Sequence, residues 1–303
     1  MAGDTITKTS NISFGSTAYP ILPASNCIPW VIIGIIECLA IVILNLITVV
    51  LFVKQHQLQR RSRYLIIHLA IIDLLVGGAS GPLFIINGMS NACFHWELSE
   101  AFIFIVSIFP VASLVNLAAI SLDRFYATFF PFKHRSIKKW VNGAFIAAIW
   151  LIASLGETFQ LILILYLKVD RRIPGIVTCT FNAFFLFVIC VSYTAVLIKV
   201  RLNPSRHHRG VTNRERKLTT TLIWVTFASL LSWLPFNVFA ILSSFSKAIS
   251  TWLWADNAAV TLVGANSLAN PIVYAIRMPE FRAGVRNILC KVPNRTRPVD
   301  LPL

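Results

Sequence analysis

Apolar residues run almost without interruption through seven long stretches, at about 28–53, 63–86, 101–128, 141–167, 174–200, 217–244 and 252–276. Short segments carrying most of the Lys and Arg separate them. A helix needs roughly 20 apolar residues to cross the hydrocarbon layer, and only a helix or a closed barrel satisfies its own backbone groups there. All seven stretches are long enough, so the pattern predicts an all-α membrane fold, a seven-helix bundle. Glu157 interrupts the fourth stretch, and the polar segment Lys168–Arg172 that separates it from the fifth is short. After the seventh, Met278-Pro279-Glu280-Phe281-Arg282 opens a segment with Phe281, Val285, Ile288 and Leu289 apolar and Arg282 and Arg286 basic. That spacing predicts a short amphipathic helix lying on a leaflet, with Cys290 a candidate for palmitoylation. The chain thus divides into a polar leader (1–27), a helical bundle (28–276) and an amphipathic helix with a short tail (277–303).

Composition agrees. Of the 303 residues, 56% are hydrophobic and 13% charged, with a mean hydropathy of +0.73. A globular protein carries about 25% charged residues, and a soluble fold of this size needs that polar cover. The net charge of +15 raises the question of nucleic acid, which the location of the cations answers. Lys and Arg number 22 in the first, third and fifth connections and the C-terminal tail, against 5 on the other side. The positive-inside rule then puts the N-terminus outside and the tail in the cytoplasm. The cations line the inner membrane face, where anionic lipid and an acidic partner meet them. No basic stripe with interleaved aromatics lies elsewhere, so nucleic-acid binding is excluded. No cleavable signal peptide is evident, because the leader lacks a basic start and the first apolar run begins near Ile28. Asn11-Ile12-Ser13 is a glycosylation sequon on the outer leader; Asn294-Arg295-Thr296 falls on the inner side, where it is expected to stay unmodified.

Polar groups inside spans are costly and usually functional. Asp73 stands mid-span in the second stretch, Asn45 in the first, Ser113 in the third, and Asn266, Ser267 and Asn270 in the seventh. A single buried Asn or Ser ordinarily glues helices together. Several at matching depth around one carboxylate suggest a hydrated polar centre able to hold a monovalent cation. Asp123-Arg124-Phe125 ends the third stretch, and Arg124 has two candidate partners, Asp123 and Glu215 at the start of the sixth. An ion pair across two helices would lock one packing state. Pro235, after Trp233, removes a backbone donor from the sixth helix and predicts a hinge beneath that indole. Pro271, after Asn270, does the same in the seventh.

Taken in order, Asn45, Leu69-Ala70-x-x-Asp73, Asp123-Arg124-Phe125, Trp150, Trp233-x-Pro235 and Asn270-Pro271-x-x-Tyr274 resemble the rhodopsin-like (class A) G-protein-coupled receptors over about residues 28–290. The resemblance implies an allosteric sodium site at Asp73, Ser113, Asn266, Ser267 and Asn270, and no other cofactor. It implies that Arg124 engages a heterotrimeric G protein and that Trp233 is the toggle at the ligand floor. Tyr274 would swing inward on activation, when Tyr193 meets Arg124. It also implies a plasma-membrane protein that is not an enzyme.

Departures from the family pattern qualify these expectations. The usual cysteine at the outer end of the third helix falls on Ser99. The outer cysteines are Cys27, Cys93 and Cys179, which leaves Cys93–Cys179 or Cys27–Cys179 as candidate bridges and one thiol over. Phe185 stands where most members have the Pro that bulges the fifth helix, so that bulge is not expected. Ser229 replaces the usual Phe below Trp233, which bears on basal activity. These departures resemble the melanocortin-, cannabinoid- and adenosine-related branch.

For the ligand, Val106 stands where amine receptors have their Asp, which argues against a monoamine in that mode. No Lys occurs in 252–276, which excludes covalent retinal. Phe102, Val106, Phe109, Phe184, Trp233, Phe236 and Phe239 form an apolar candidate lining, with Asn237 as a hydrogen-bonding position. Such a lining favours a peptide, lipid-like or nucleoside-like extracellular ligand. Glu37, Glu157 and Asp256 are acids that a cationic peptide, or an amine in another pose, could use. The alternative is a non-signalling decoy or scaffold receptor of the same fold. A transporter would need inverted repeats or paired broken helices, and neither is seen. His68 and the other histidines have no ligand-spaced partner, which argues against an intramembrane enzyme.

Overall fold

The computed structural model describes residues 24–54, 63–89, 100–138, 140–170, 172–202, 213–245 and 253–290, and every ordered element among them is helical. α1 is Ala24–Lys54. α2 (Arg63–Leu75) passes through a π-helical turn, Val76–Ser80, into α3 (Gly81–Met89). α4 is Glu100–Phe129 and a short α5 (Pro131–Ser136) follows it. The bundle continues with α6 (Trp140–Leu165), α7 (Arg172–Leu202), α8 (Asn213–Phe245) and α9 (Leu253–Arg277), and α10 (Pro279–Cys290) completes it. Seven segments are long and apolar enough to cross a membrane, with α2 and α3 forming one of them. The predicted spans all fall on these helices. As expected without a Pro at position 185, α7 is α-helical throughout its length.

Burial identifies the centre. In α4 every residue from Val111 to Ser121 is buried, on all faces, so this helix is enclosed by its neighbours rather than lying at the rim. The other spans bury one stripe and expose the rest. In α6 the stripe is Ile149, Ala153 and Glu157, one residue per turn, while Leu151 and Leu155 face outward at about three-fifths exposure. A large apolar surface facing away from the core, as at Ile36, Leu39, Phe187 and Leu234, is the reverse of a water-soluble helix and fits lipid contact.

α1 packs tightly on the second span because glycines allow it. A Cβ at Gly77 would stand 2.7 and 2.8 Å from Ile41 side-chain atoms and 3.0 Å from the Cys38 carbonyl oxygen. The π turn sits where these glycines are, and a turn of that kind takes one extra residue into the helix. Ser80, at its end, donates a 2.6 Å hydrogen bond to the Val106 carbonyl of α4. At the other end of the bundle α10 closes the core: Met278 and Phe281 are buried and Val285 packs beneath them. Arg282 and Arg286 are exposed, as the amphipathic pattern predicts.

Gly77→Ala is expected to destabilise the purified protein by about 1–3 kcal/mol, the usual cost of overpacking. Gly143 meets nothing within 4 Å, so Gly143→Ala is expected to be neutral or mildly stabilising, since Ala is the better helix former. Thermal unfolding in detergent measures both, and equal effects would refute the close α1 contact.

Candidate functional site

Midway along the bundle, three helices converge on the fully buried Asp73. Ser113 of α4 and Ser267 of α9 each donate a 2.8 Å hydrogen bond to its Oδ1, and Asn270 Nδ2 donates one of 2.8 Å to Oδ2. Asn45 of α1 joins from the other side, its Nδ2 donating to the carbonyls of Ile41 and Ser267 at 3.0 Å each. The amide oxygens of Asn45, Asn266 and Asn270 are buried without a partner. The group therefore combines one carboxylate, two hydroxyls and spare carbonyl-type oxygens. That hard-oxygen set suits a small cation such as sodium. Among the described residues no three His, Cys, Asp or Glu side chains gather, so nothing there suits a transition metal.

One turn from the end of α4, Arg124 is buried and its Nη2 donates to Asp123 Oδ2 at 2.6 Å. Of the two candidate partners, Asp123 is engaged, and the Glu215 side chain lies outside the described residues. Asp123 is shared, because His134 of α5 meets its Oδ1 at 3.0 Å through Nε2. The Pro131 start of α5 turns the chain back to bring this histidine over α4. Tyr193 of α7 is buried nearby and hydrogen-bonds Thr226 of α8. Lys199 caps the end of α4, donating to the Phe129 carbonyl at 3.4 Å with its ammonium 4.1 Å from the ring centroid. Tyr274 is buried in an aromatic corner, edge-on to Phe52 of α1 (5.8 Å) and Phe281 of α10 (6.0 Å).

Towards the opposite end, Trp233 is buried edge-on to Phe236 at 6.1 Å, and its Nε1 has no partner. Asn237, one turn on, donates through Nδ2 to the Trp233 carbonyl, leaving its Oδ1 unpaired. Asn182 of α7 is buried with neither amide atom bonded. Each such orphan costs about 1–3 kcal/mol of desolvation. Glu157 is buried in α6, where among the described residues its Oε1 takes a 3.5 Å contact from Gln160 Nε2. Of the apolar lining residues, Val106 is buried and Phe102, Phe109 and Phe239 are partly so. Phe184 differs from expectation: it is 58% exposed and faces away from the bundle interior, because its neighbours Asn182 and Leu186 take the inward face of α7. Glu37 packs against α9, where a Cβ on Gly264 would lie 2.8 Å from its Oε1.

Comparison with known proteins decides what this arrangement is. The profile of the 7 transmembrane receptor (rhodopsin family) matches residues 44–274, three-quarters of the chain. The chain belongs to this family. The receptor is 27% identical to somatostatin receptor type 2 of Mus musculus over 278 residues, covering 82% of this chain and 73% of that one. It is 23% identical to the substance-K receptor of Homo sapiens, covering 90% and 75%. It is also 27% identical to rhodopsin of Alloteuthis subulata, covering 84% and 65%. The crystal structure of squid rhodopsin superposes with a TM-score of 0.73 at 22% identity, covering 90% of this chain and 88% of that one, which shows the shared fold. This is a multi-pass membrane protein and a G-protein-coupled receptor, a signalling protein and not an enzyme.

The receptor corrects the disulfide expectation. Cys179 is a free thiol, buried within α7, and its Sγ points at the Asn237 carbonyl 3.6 Å away. It faces α8 rather than an outer loop, and neither a Cys93 nor a Cys27 bridge forms with it. Cys93, Ser99 and Asn11, and the side chains of Cys27, Asp256 and Cys290, lie outside the described residues.

Sequence reasoning missed Asn182, His134, and the role of His68. Trp150 Nε1 donates to His68 Nε2 at 3.0 Å, His68 Nδ1 meets Asn116 Oδ1 at 3.4 Å, and Asn116 Nδ2 donates to the Leu65 carbonyl at 3.0 Å. Because Nε2 accepts the indole proton, the imidazole is neutral with its proton on Nδ1. One relay thus joins α6, α2 and α4. His68→Leu orphans both Trp150 and Asn116 and is expected to cost about 1–3 kcal/mol. Adding Trp150→Phe to it should cost less than the two single changes summed, a coupling that a double-mutant unfolding cycle reads directly.

Proposed function

We propose that the receptor sits in the plasma membrane with its N-terminus outside and its tail in the cytoplasm, binds an extracellular ligand, and activates a heterotrimeric G protein. The single observation that carries this is Arg124, a buried guanidinium at the base of the central helix held by the carboxylate of Asp123. That grip is releasable, because Asp123 also has His134 to bond. A ligand pressing on Trp233 would favour outward tilt of α8 about Pro235, which lacks the backbone donor that would stiffen the helix there. Tilt would part α8 from α4 and expose Arg124 to a G protein, with Tyr193 on hand to meet it. Ligand and G protein both prefer the open state, so each raises the other's affinity.

The polar centre would tune this equilibrium. In the closed state Asp73, Ser113, Asn266, Ser267 and Asn270 would hold a sodium ion, and the ion's charge would offset the carboxylate and hold α2, α4 and α9 together. The peptide-receptor relatives named above support a peptide ligand; a lipid-like or nucleoside-like one fits the apolar lining too. A chain without Lys anywhere in α9 has no anchor for a retinal Schiff base, whatever its likeness to rhodopsins. Surface glycosylation at Asn11 and acylation of Cys290 complete the proposal.

Cells lacking endogenous receptors, expressing the full chain and challenged with a peptide and lipid library, are expected to show a cAMP or calcium response. Arg124→Ala should remove that response while surface expression stays measurable; a response surviving the substitution would overturn the mechanism. In the purified receptor, sodium chloride should raise the unfolding temperature above that in choline chloride at equal ionic strength. Asp73→Asn should abolish the difference.

A further inference from the structure

Polar side chains of α6, α7 and α8 fall near one level of the bundle, and those of α7 and α8 keep unpartnered atoms there. α6 and α7 run antiparallel there. A Cβ on Gly156 would meet the Phe181 ring at 2.9 Å, and the Thr178 hydroxyl donates to Gln160 Oε1 at 2.5 Å. Glu157 lies between those two contacts on the inward stripe of α6, level with the 178–182 turn of α7. The far side of that turn meets α8, where Cys179 Sγ lies 3.6 Å from the Asn237 carbonyl. The Glu157 carboxylate, Asn182 Oδ1 and Asn237 Oδ1 therefore belong to one band, with Asn182 Nδ2 and Trp233 Nε1 as donors beside them. Asn182, Asn237 and Trp233 are each more than nine-tenths buried, and the four side-chain atoms named for them have no partner. Among the described residues no Lys or Arg lies within ion-pair reach of Glu157; the ion pairs there are Arg124–Asp123, His134–Asp123 and Arg172–Asp170.

Buried polar groups are almost always bonded, and each exception calls for an explanation, of which a bound partner is one. Here the acceptors outnumber the donors, and one of them is a carboxylate. The complement is a group with several N–H donors and a positive charge, as in an ammonium or guanidinium. Trp233 and Phe236 supply an aromatic floor next to it, suited to the apolar body that carries such a group. We infer that the ligand of this receptor presents an organic cation to Glu157, Asn182 and Asn237, entering between α6, α7 and α8 rather than meeting α4 at Val106. The inference rests on the proposal that this end of the bundle receives the ligand, and it names the ligand's chemistry.

Three indoles that differ only in charge test it: tryptamine, tryptophol and indole-3-propionate. Binding to the purified full-length receptor is followed by thermal shift without any G protein, so a coupling failure seen with Arg124→Ala is a separate result. Tryptamine is expected to bind at least tenfold more tightly than tryptophol, with indole-3-propionate weakest. Glu157→Gln, which keeps the shape and removes the charge, should erase that order through a loss of about ten- to hundredfold for tryptamine alone. Asn182→Leu should weaken tryptamine similarly while raising the unfolding temperature of the unliganded receptor, because it removes two unsatisfied atoms. A structural role for Asn182 would lower that temperature instead. Absence of any charge preference in the unmodified receptor, or its persistence in Glu157→Gln, would overturn the inference.

Discussion

The buried carboxylate of Asp73 is the constraint around which the bundle is organised. A fully enclosed acid is tolerated only when its oxygens are bonded, and the three donors come from two other helices, α4 and α9. The rotation of each helix about its axis is thereby set at mid-depth: Ser113, Ser267 and Asn270 must all face the same point. Asn45 then ties α1 to α9 through the Ser267 carbonyl. Lipid supplies little hydrophobic drive between helices, so these few directional bonds do much of the specifying that a packed core does in water.

From that level the structure reads differently in the two directions. Towards the basic end the charged groups are engaged, Arg124 with Asp123, Asp123 with His134 and Lys199 with the end of α4, while Arg124 Nε and the Tyr274 hydroxyl stay buried without a partner. Towards the other end neutral side chains are left open, at Asn182, Asn237 and Trp233. The two ends are joined by a central helix buried on every face over 111–121. A partner that satisfied the open atoms would favour whichever arrangement of the helices binds it.

The helices and the gathering of Ser113, Ser267 and Asn270 around Asp73 are legible in the chain because both rest on strong local signals. Apolar runs of span length leave little choice of element, and Asp73, Asn270 and Pro271 are conspicuous where lipid should exclude them. The lateral facing of single residues was much less legible. Asn182 and Phe184 are two positions apart in one apolar run, and only the rotation of α7 decides that the first is buried and the second exposed. Cys179 counts among the outer cysteines by its place near the outer end of the span, but it lies two turns inside α7 and rotation of the helix turns its thiol towards α8. His134 was invisible as a partner for Asp123 because the short α5 that carries it has no apolar periodicity of its own.

The π turn at Val76–Ser80 has an effect on numbering. Wound into the second span, its additional residue advances everything beyond it by one position relative to a regular helix. Offsets counted from Asp73 towards the basic end stay on the face that ordinary helical spacing assigns. Counted the other way, past Gly81, they land on a neighbouring face. Transferring positions from relatives without that turn would therefore misplace Ile85 and Ile86 around the helix circumference, and alignment of this span has to be restarted at Gly81.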